Sequence, residues 1–193
     1  MKKHTRLTFG LLATLMLSAC GGTPTTDLYV LRPSDSASLR CTPPMAIQID
    51  RPVAAEEFAS KKIAVMFSDS HLNYYTGAGW ASSFPDQLRD YLQQDFLNHD
   101  GITLATDDTA DSKKLRTLSI TIQEAFVENP DAPRVHLRMV AVLHDGEHVL
   151  KQVRINEVVT PTENHMPEIV AAFDQAAANS SAKIRDALHL RCK

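Results

Sequence analysis

The sequence predicts an α+β fold, an antiparallel sheet packed by two amphipathic helices in a single domain. Three observations carry this expectation. Residues 118–122 and 135–155 alternate apolar and polar side chains with the period of a half-buried strand. Phe84, Leu88, Tyr91, Leu92 and Phe96 form one apolar stripe at helical spacing. Beyond Pro167, a second stripe runs through Ile169, Phe173, Ala176, Ser180, Ile184, Ala187 and Leu188. A length of 193 residues with 44% hydrophobic content suits one domain with a substantial core.

Taken in order, Leu28-Tyr29-Val30-Leu31 is a brief strand signal that stops at Pro33, and 34–42 reads as a polar loop. Ala46-Ile47-Gln48-Ile49-Asp50 alternates as far as Arg51-Pro52, and Lys62-Ile63-Ala64-Val65-Met66-Phe67 is fuller, as a central strand is. The first helix has Ser83 as its N-cap, Pro85 in its first turn and Asp86 as the acid that follows. It runs to about Asn98, with Gly101 as the expected stop. Ile102-Thr103-Leu104 is a short strand, and Leu118, Ile120 and Ile122 share one face of another.

Val135, Leu137, Met139, Ala141 and Leu143 define the inward face of the next strand. Val149, Val153 and Ile155 continue at odd positions beyond His144-Asp145-Gly146. A two-residue Asp-Gly turn would pair odd with even positions and put the two apolar sets on opposite faces. A three-residue loop, 144–146, with Gly146 left-handed in a bulge, keeps both sets inward and is therefore expected. Lys151 is then the one intruder. The small residues of Ala176-Ala177-Ala178-Asn179-Ser180-Ser181 let the last helix lie close on the sheet.

The N-terminus carries a different kind of information. Met1-Lys2-Lys3-His4-Thr5-Arg6 is positive, Leu7 to Leu17 is apolar, and Leu17-Ser18-Ala19-Cys20 follows. A positive segment, a short apolar core and small residues before a cut describe a secretory signal, 1–19. Leu-Ser-Ala-Cys is also the lipobox of bacterial lipoproteins, in which the cysteine is acylated and becomes the new N-terminus. Each buried CH₂ of an acyl chain contributes about 0.8 kcal/mol, so several chains on Cys20 anchor stably. Gly21, rather than Asp, follows Cys20, which by the usual sorting rule favours the outer membrane. Residues 20–27 form the lipidated N-terminus and tether, and 28–193 the periplasmic domain. From Gly21 to Thr26 the tether reaches roughly 20 Å, so the domain sits close to its membrane.

The net charge is −3, and loss of Lys2, Lys3 and Arg6 with the signal makes the mature chain more acidic still. Clustered Lys and Arg for phosphate neutralisation are missing, which argues against nucleic acid as a partner. With Cys20 acylated, Cys41 and Cys192 remain. In an oxidising compartment such an even pair suggests a structural disulfide, the other reading being two unpaired thiols.

No nucleophile elbow, phosphate loop or zinc-protease helix motif occurs, so no catalytic residue, cofactor or enzymatic activity is expected. His144 and His148 flank a turn but lack the further converging ligands that zinc wants. Asp107, Asp108 and Asp111 lack calcium-loop spacing, and no metal is expected. Tyr74, Tyr75, Trp80 and Phe84 cluster around a glycine-containing loop. They read either as core and helix staple or, through Tyr74, Tyr75 and Trp80, as an aromatic edge that docks a partner.

These residues together resemble the ABC-type transport auxiliary lipoproteins, of the paraquat-inducible protein C type. The likeness runs, in order, through Cys20, Leu28-Tyr29-Val30-Leu31, Ile47-Gln48-Ile49-Asp50-Arg51-Pro52, Leu72-Asn73-Tyr74-Tyr75 and Trp80-Ala81 at the opening of a helix. Ser82-Ser83-Phe84-Pro85 departs from the Glu-Pro-Leu-like stretch more usual after Trp-Ala. The resemblance implies an outer-membrane lipoprotein facing the periplasm, docking with a mammalian-cell-entry (MCE) domain protein and its permease. The cargo it implies is phospholipid or another hydrophobic molecule, and it also implies self-association into a homo-oligomer. The alternative is a structural envelope lipoprotein that scaffolds an unrelated assembly.

Overall fold

The longest strand, β7 (Leu115–Glu128), organises the others. The computed structural model describes residues 26–34, 39–68, 70–105, 115–188 and 191–192. The signal 1–19, Cys20, most of the tether, and Asp107, Asp108 and Asp111 lie outside the described residues. Along one edge β7 pairs antiparallel with β8 (Arg134–Asp145), which pairs antiparallel with β9 (His148–Val159). Along its other edge three strands run parallel to it in succession: β2 (Leu39–Ile49), β3 (Val53–Ala54) and β4 (Lys62–Met66). Next to β4 lies antiparallel β5 (Leu72–Trp80), and parallel to β5 lies β1 (Asp27–Tyr29). Finally, β6 (His99–Leu104) runs parallel to β2, and β10 (Arg191–Cys192) pairs with it antiparallel. Helices α1 (Phe84–Leu97) and α2 (Met166–Ala187) pack against each other; α1 also meets β6, and α2 meets β8 and β9.

The fold is therefore α+β, with two α-helices among the described residues, but the sheet is mixed rather than antiparallel. Residue alternation reports which face of a strand is buried and is silent on the direction of its neighbours. The loop expected over 34–42 is also corrected, because Leu39–Thr42 belongs to β2. The β2/β6 register breaks between Arg40 and Met45, around Pro43-Pro44. Prolines are tolerated there because a bulge leaves residues out of the ladder.

The first helix follows its sequence signals. Ser83 caps it, with its hydroxyl accepting from the Asp86 amide, and all five residues of the apolar stripe are buried. Its end differs from expectation. Asn98 closes the helix in a right-handed conformation, while Gly101, at φ 92°, lies inside β6. In β7 the buried parity changes from Leu118, Ile120 and Ile122 to Ala125 and Val127. A bulge between Ile122 and Glu124 makes that change.

The hairpin between β8 and β9 keeps odd opposite odd over most of its length, with Ala141 facing Val153 and Met139 facing Ile155. The device is not the three-residue loop. Asp145 pairs with His148 across a two-residue turn in which Gly146 has φ 59°, and a register shift beyond His144 restores the parity. Val149 therefore sits outside the shift and is exposed, as is Lys151. On α2, Ala176, Ala177 and Ser180 are fully buried.

Trp80 is the largest of the fully buried side chains. Its ring centroid lies 5.5 Å from that of Phe84 on α1 and 5.2 Å from that of Phe173 on α2, an edge contact. Phe84 and Phe173 close the triangle at 5.7 Å. Truncating a buried tryptophan removes both its transfer energy and its packing, so Trp80→Ala is expected to cost about 3–5 kcal/mol in urea unfolding. A loss below about 1 kcal/mol would place the indole outside the core.

Candidate functional site: the strap across the two helices

After β1 the chain leaves the sheet and crosses both helices. Ala81 N donates to Tyr29 O at 2.9 Å, Leu31 N to the buried Gln87 Oε1 of α1 at 3.0 Å, and Arg32 N to Asp174 Oδ1 of α2 at 2.9 Å. Leu31 itself is buried. Residues 29–32 thus form a strap in which the amides of Leu31 and Arg32 are each satisfied by a side chain, one from each helix. Beyond β1 the strap pairs with no strand among the described residues, and the buried Leu31 amide in particular would be costly without an acceptor.

Beside the strap lies an open cleft of about 790 Å³, lined in part by Val30, Arg32, Tyr91, Gln94, Asp174 and Gln175. Burial pushes the Asp174 carboxyl up to about 6, against the opposing pull of the Arg32 amide and the Arg32 charge. Burial also raises the Tyr91 hydroxyl, and the carboxylates of Asp95 and Asp174 add to the effect. Further along the helices, Asp95 Oδ2 accepts from Ser181 Oγ at 2.6 Å and from Arg185 Nη1, joining α1 to α2. Glu157, inward on β9, is held by Asn179 at 3.1 Å and Lys183 at 2.5 Å.

The start of α1 is clamped from the other side. Arg51, between β2 and β3, places Nε 2.6 Å from Asp86 Oδ1 and Nη2 3.1 Å from Oδ2. The Ser83 hydroxyl also meets Asp86 Oδ2, at 2.5 Å. The Arg51 hydrogen bonds, followed by that of Ser83, hold Asp86 down at about 2. Neighbouring Asp50 accepts from Ser119 Oγ at 2.9 Å, which ties the same corner to β7. Trp80 N donates to Lys61 O at 2.7 Å, and a Cβ on Gly79 would meet that oxygen at 3.0 Å. Glycine is needed there for this close approach.

The three aromatic residues expected on a docking edge separate. Trp80 is only 2% exposed and belongs to the ring cluster, so its assignment to a partner surface is corrected: an enclosed indole touches no partner. Tyr74 is partly exposed, with Lys62 Nζ 4.7 Å from its ring centre and its hydroxyl donating to Glu57 O at 3.4 Å. Tyr75 is partly buried, and its hydroxyl has no hydrogen-bond partner among the described residues. Cys41 and Cys192 stand opposite each other in the β2/β10 ladder. Among the described residues no group of three or more His, Cys, Asp or Glu is arranged to hold a metal, and no helix is long and apolar enough to cross a membrane.

With this geometry established, the family model for the ABC-type transport auxiliary lipoprotein component matches residues 29–185. The chain belongs to that family. The match begins at the strap and ends in α2, so it takes in both halves of the site. Protein XCC0632 from Xanthomonas campestris, a DUF330 protein, shares the fold at TM-score 0.63 and 20% identity, with 83% of this chain and 90% of that one covered. An uncharacterised protein matches at TM-score 0.64 and 16% identity, over 83% and 96%. The hypothetical protein CT253 from Chlamydia trachomatis follows at TM-score 0.50 and 6% identity, over 74% and 96%. No curated protein matches the sequence.

Sequence reasoning missed Gln87 and Asp174, each a single polar residue beside an apolar stripe. It quoted Arg51 only as part of a motif. The carboxyl of Asp174 is easier to protonate folded than unfolded, so its contribution favours folding below about pH 4 and is lost as the pH rises through about 6. Asp174→Asn keeps an acceptor for the Arg32 amide. It is expected to raise Tm at pH 7.5, with the difference from wild type vanishing near pH 4. A lower Tm at pH 7.5 would show that the ionised strap contact outweighs the cost of burial.

Proposed function

We propose that this chain is an acylated, periplasm-facing lipoprotein of the outer membrane, and the docking component of an ABC transport system built on an MCE-domain protein and its permease. The cargo is phospholipid or another hydrophobic molecule passing between the two membranes. The observation that carries the reading is the family match over 29–185, joined to the Leu17-Ser18-Ala19-Cys20 lipobox just ahead of it. ATP hydrolysis belongs to a cytoplasmic partner and the lipid path to the MCE protein, so this chain contributes surface and position rather than catalysis. Self-association into a homo-oligomer fits such a docking role.

The strap supports the reading physically. Leu31 and Arg32, just beyond β1, are bound to both helices, so a pull from the anchor would be carried by the core. Tyr74 and Tyr75, with Trp80 removed to the core, are the proposed contact with the partner. Affinity purification of the acylated protein from gently solubilised native membranes is expected to bring down an MCE-domain protein or its permease. Repeated absence of both, with the bait folded and abundant, would favour a structural envelope lipoprotein instead. Tyr74→Ala is expected to weaken that capture roughly tenfold, about 1.4 kcal/mol, with little change in Tm. Undiminished capture would move the contact elsewhere. Cys20→Ser, which removes the acylated thiol, is expected to shift the chain that has lost its signal from the membrane to the soluble fraction; retention of a chain whose signal has been removed would contradict lipid anchoring.

A further inference from the structure

We propose that Cys41 and Cys192 form an intrachain disulfide that fixes the end of α2 to β2. The backbone register places them directly opposite one another, with Arg191 opposite Thr42 as the neighbouring rung. Directly opposed residues of an antiparallel ladder have Cα atoms about 4.5–5.5 Å apart and share one face of the sheet. That spacing falls inside the roughly 4.4–6.8 Å that a disulfide spans. A slip of one rung would put the two positions on opposite faces, so the register itself selects this pair.

Two further observations agree. The chain has three cysteines, and acylation of Cys20 leaves an even pair. In addition, β10 has only two residues and follows closely on α2, whose cap is Leu188. So short a ladder has little cohesion of its own, and a covalent tie is what would keep it in register. The closed loop contains both helices and every strand from β3 to β9, so the bond restrains the domain as a whole.

The bond is made by exchange. A thiolate of the pair attacks the disulfide of a periplasmic thiol–disulfide oxidoreductase, giving a mixed disulfide and one donor thiolate. The second thiolate of the pair then displaces the donor, which leaves as the dithiol carrying the two electrons, while the pair's two thiol protons are released to water or to the donor. The inference rests on export of the chain to an oxidising compartment, and not on the identity of any transport partner.

The test is a non-reducing peptide map of the full chain from native envelopes, with free thiols alkylated at lysis. The expected result is a Cys41–Cys192 linked peptide, lighter by two hydrogens than its reduced parts. Both thiols alkylated on a chain that carries acyl groups on Cys20 would overturn the proposal. If the chain instead retains its signal and an unmodified Cys20, the export reading fails. The purified full chain exposed to oxidised glutathione then decides the pairing: a linked peptide supports it, and two free or glutathione-capped thiols overturn it. Cys41→Ala and Cys192→Ala are each expected to lower Tm by the same amount as reductant does on wild type, and the double variant by no more. Additive losses would show that the two thiols act separately.

Discussion

The hydrogen-bonding demand of β7 is the constraint on which the rest of the structure depends. A strand of fourteen residues presents two edges, and each buried edge must be satisfied along its length. One edge is met by β8 alone, the other by β2, β3 and β4 in relay. The breaks in that relay are where the chain does something other than pair. At the first break Asp50 binds Ser119, Arg51 reaches the cap of α1, and Pro52 is buried. The Asp50-Arg51-Pro52 motif is thus the joint between the sheet and the first helix.

From that joint the domain is assembled by contacts that each involve three elements. Trp80 at the end of β5 meets Phe84 and Phe173, one from each helix. The strap uses the same two helices, through Gln87 and Asp174. The segment just beyond β1 is therefore bonded to the elements that enclose the ring cluster. A partner that engages the domain would work against the core and not against a flexible linker. This is a mechanical property suited to a protein held at a membrane, and it follows from side chains belonging to three separate parts of the sequence.

Much of the fold was legible because burial writes a period into the sequence. The α1 stripe, its Ser83 cap, the inward face of β8 and that of β7 as far as Ile122 all follow from spacing alone. Strand direction was not legible, since β2 and β4 would carry the same pattern beside a parallel or an antiparallel neighbour. Bulges were not either: one extra residue near Gln123 or Leu150 reverses parity without leaving a compositional mark. The site was less legible than the fold. A lone Gln87 or Asp174 has the appearance of an ordinary solvated residue until the strap is seen to bring an amide to it. Trp80 misled for the opposite reason: the glycine-containing stretch before it reads as a loop but is the end of β5, whose last residue turns its ring into the core.

The central claim is that the anchor-proximal strap is part of the folded domain. Amide hydrogen exchange on the acylated protein in lipid vesicles tests this most directly, read at Leu31 and Arg32. The account predicts slow exchange at both, approaching that of Ala81, whose amide is bonded to Tyr29. Exchange at Leu31 and Arg32 as fast as in an unstructured peptide, with Ala81 still protected, would contradict it and detach the strap from the two helices.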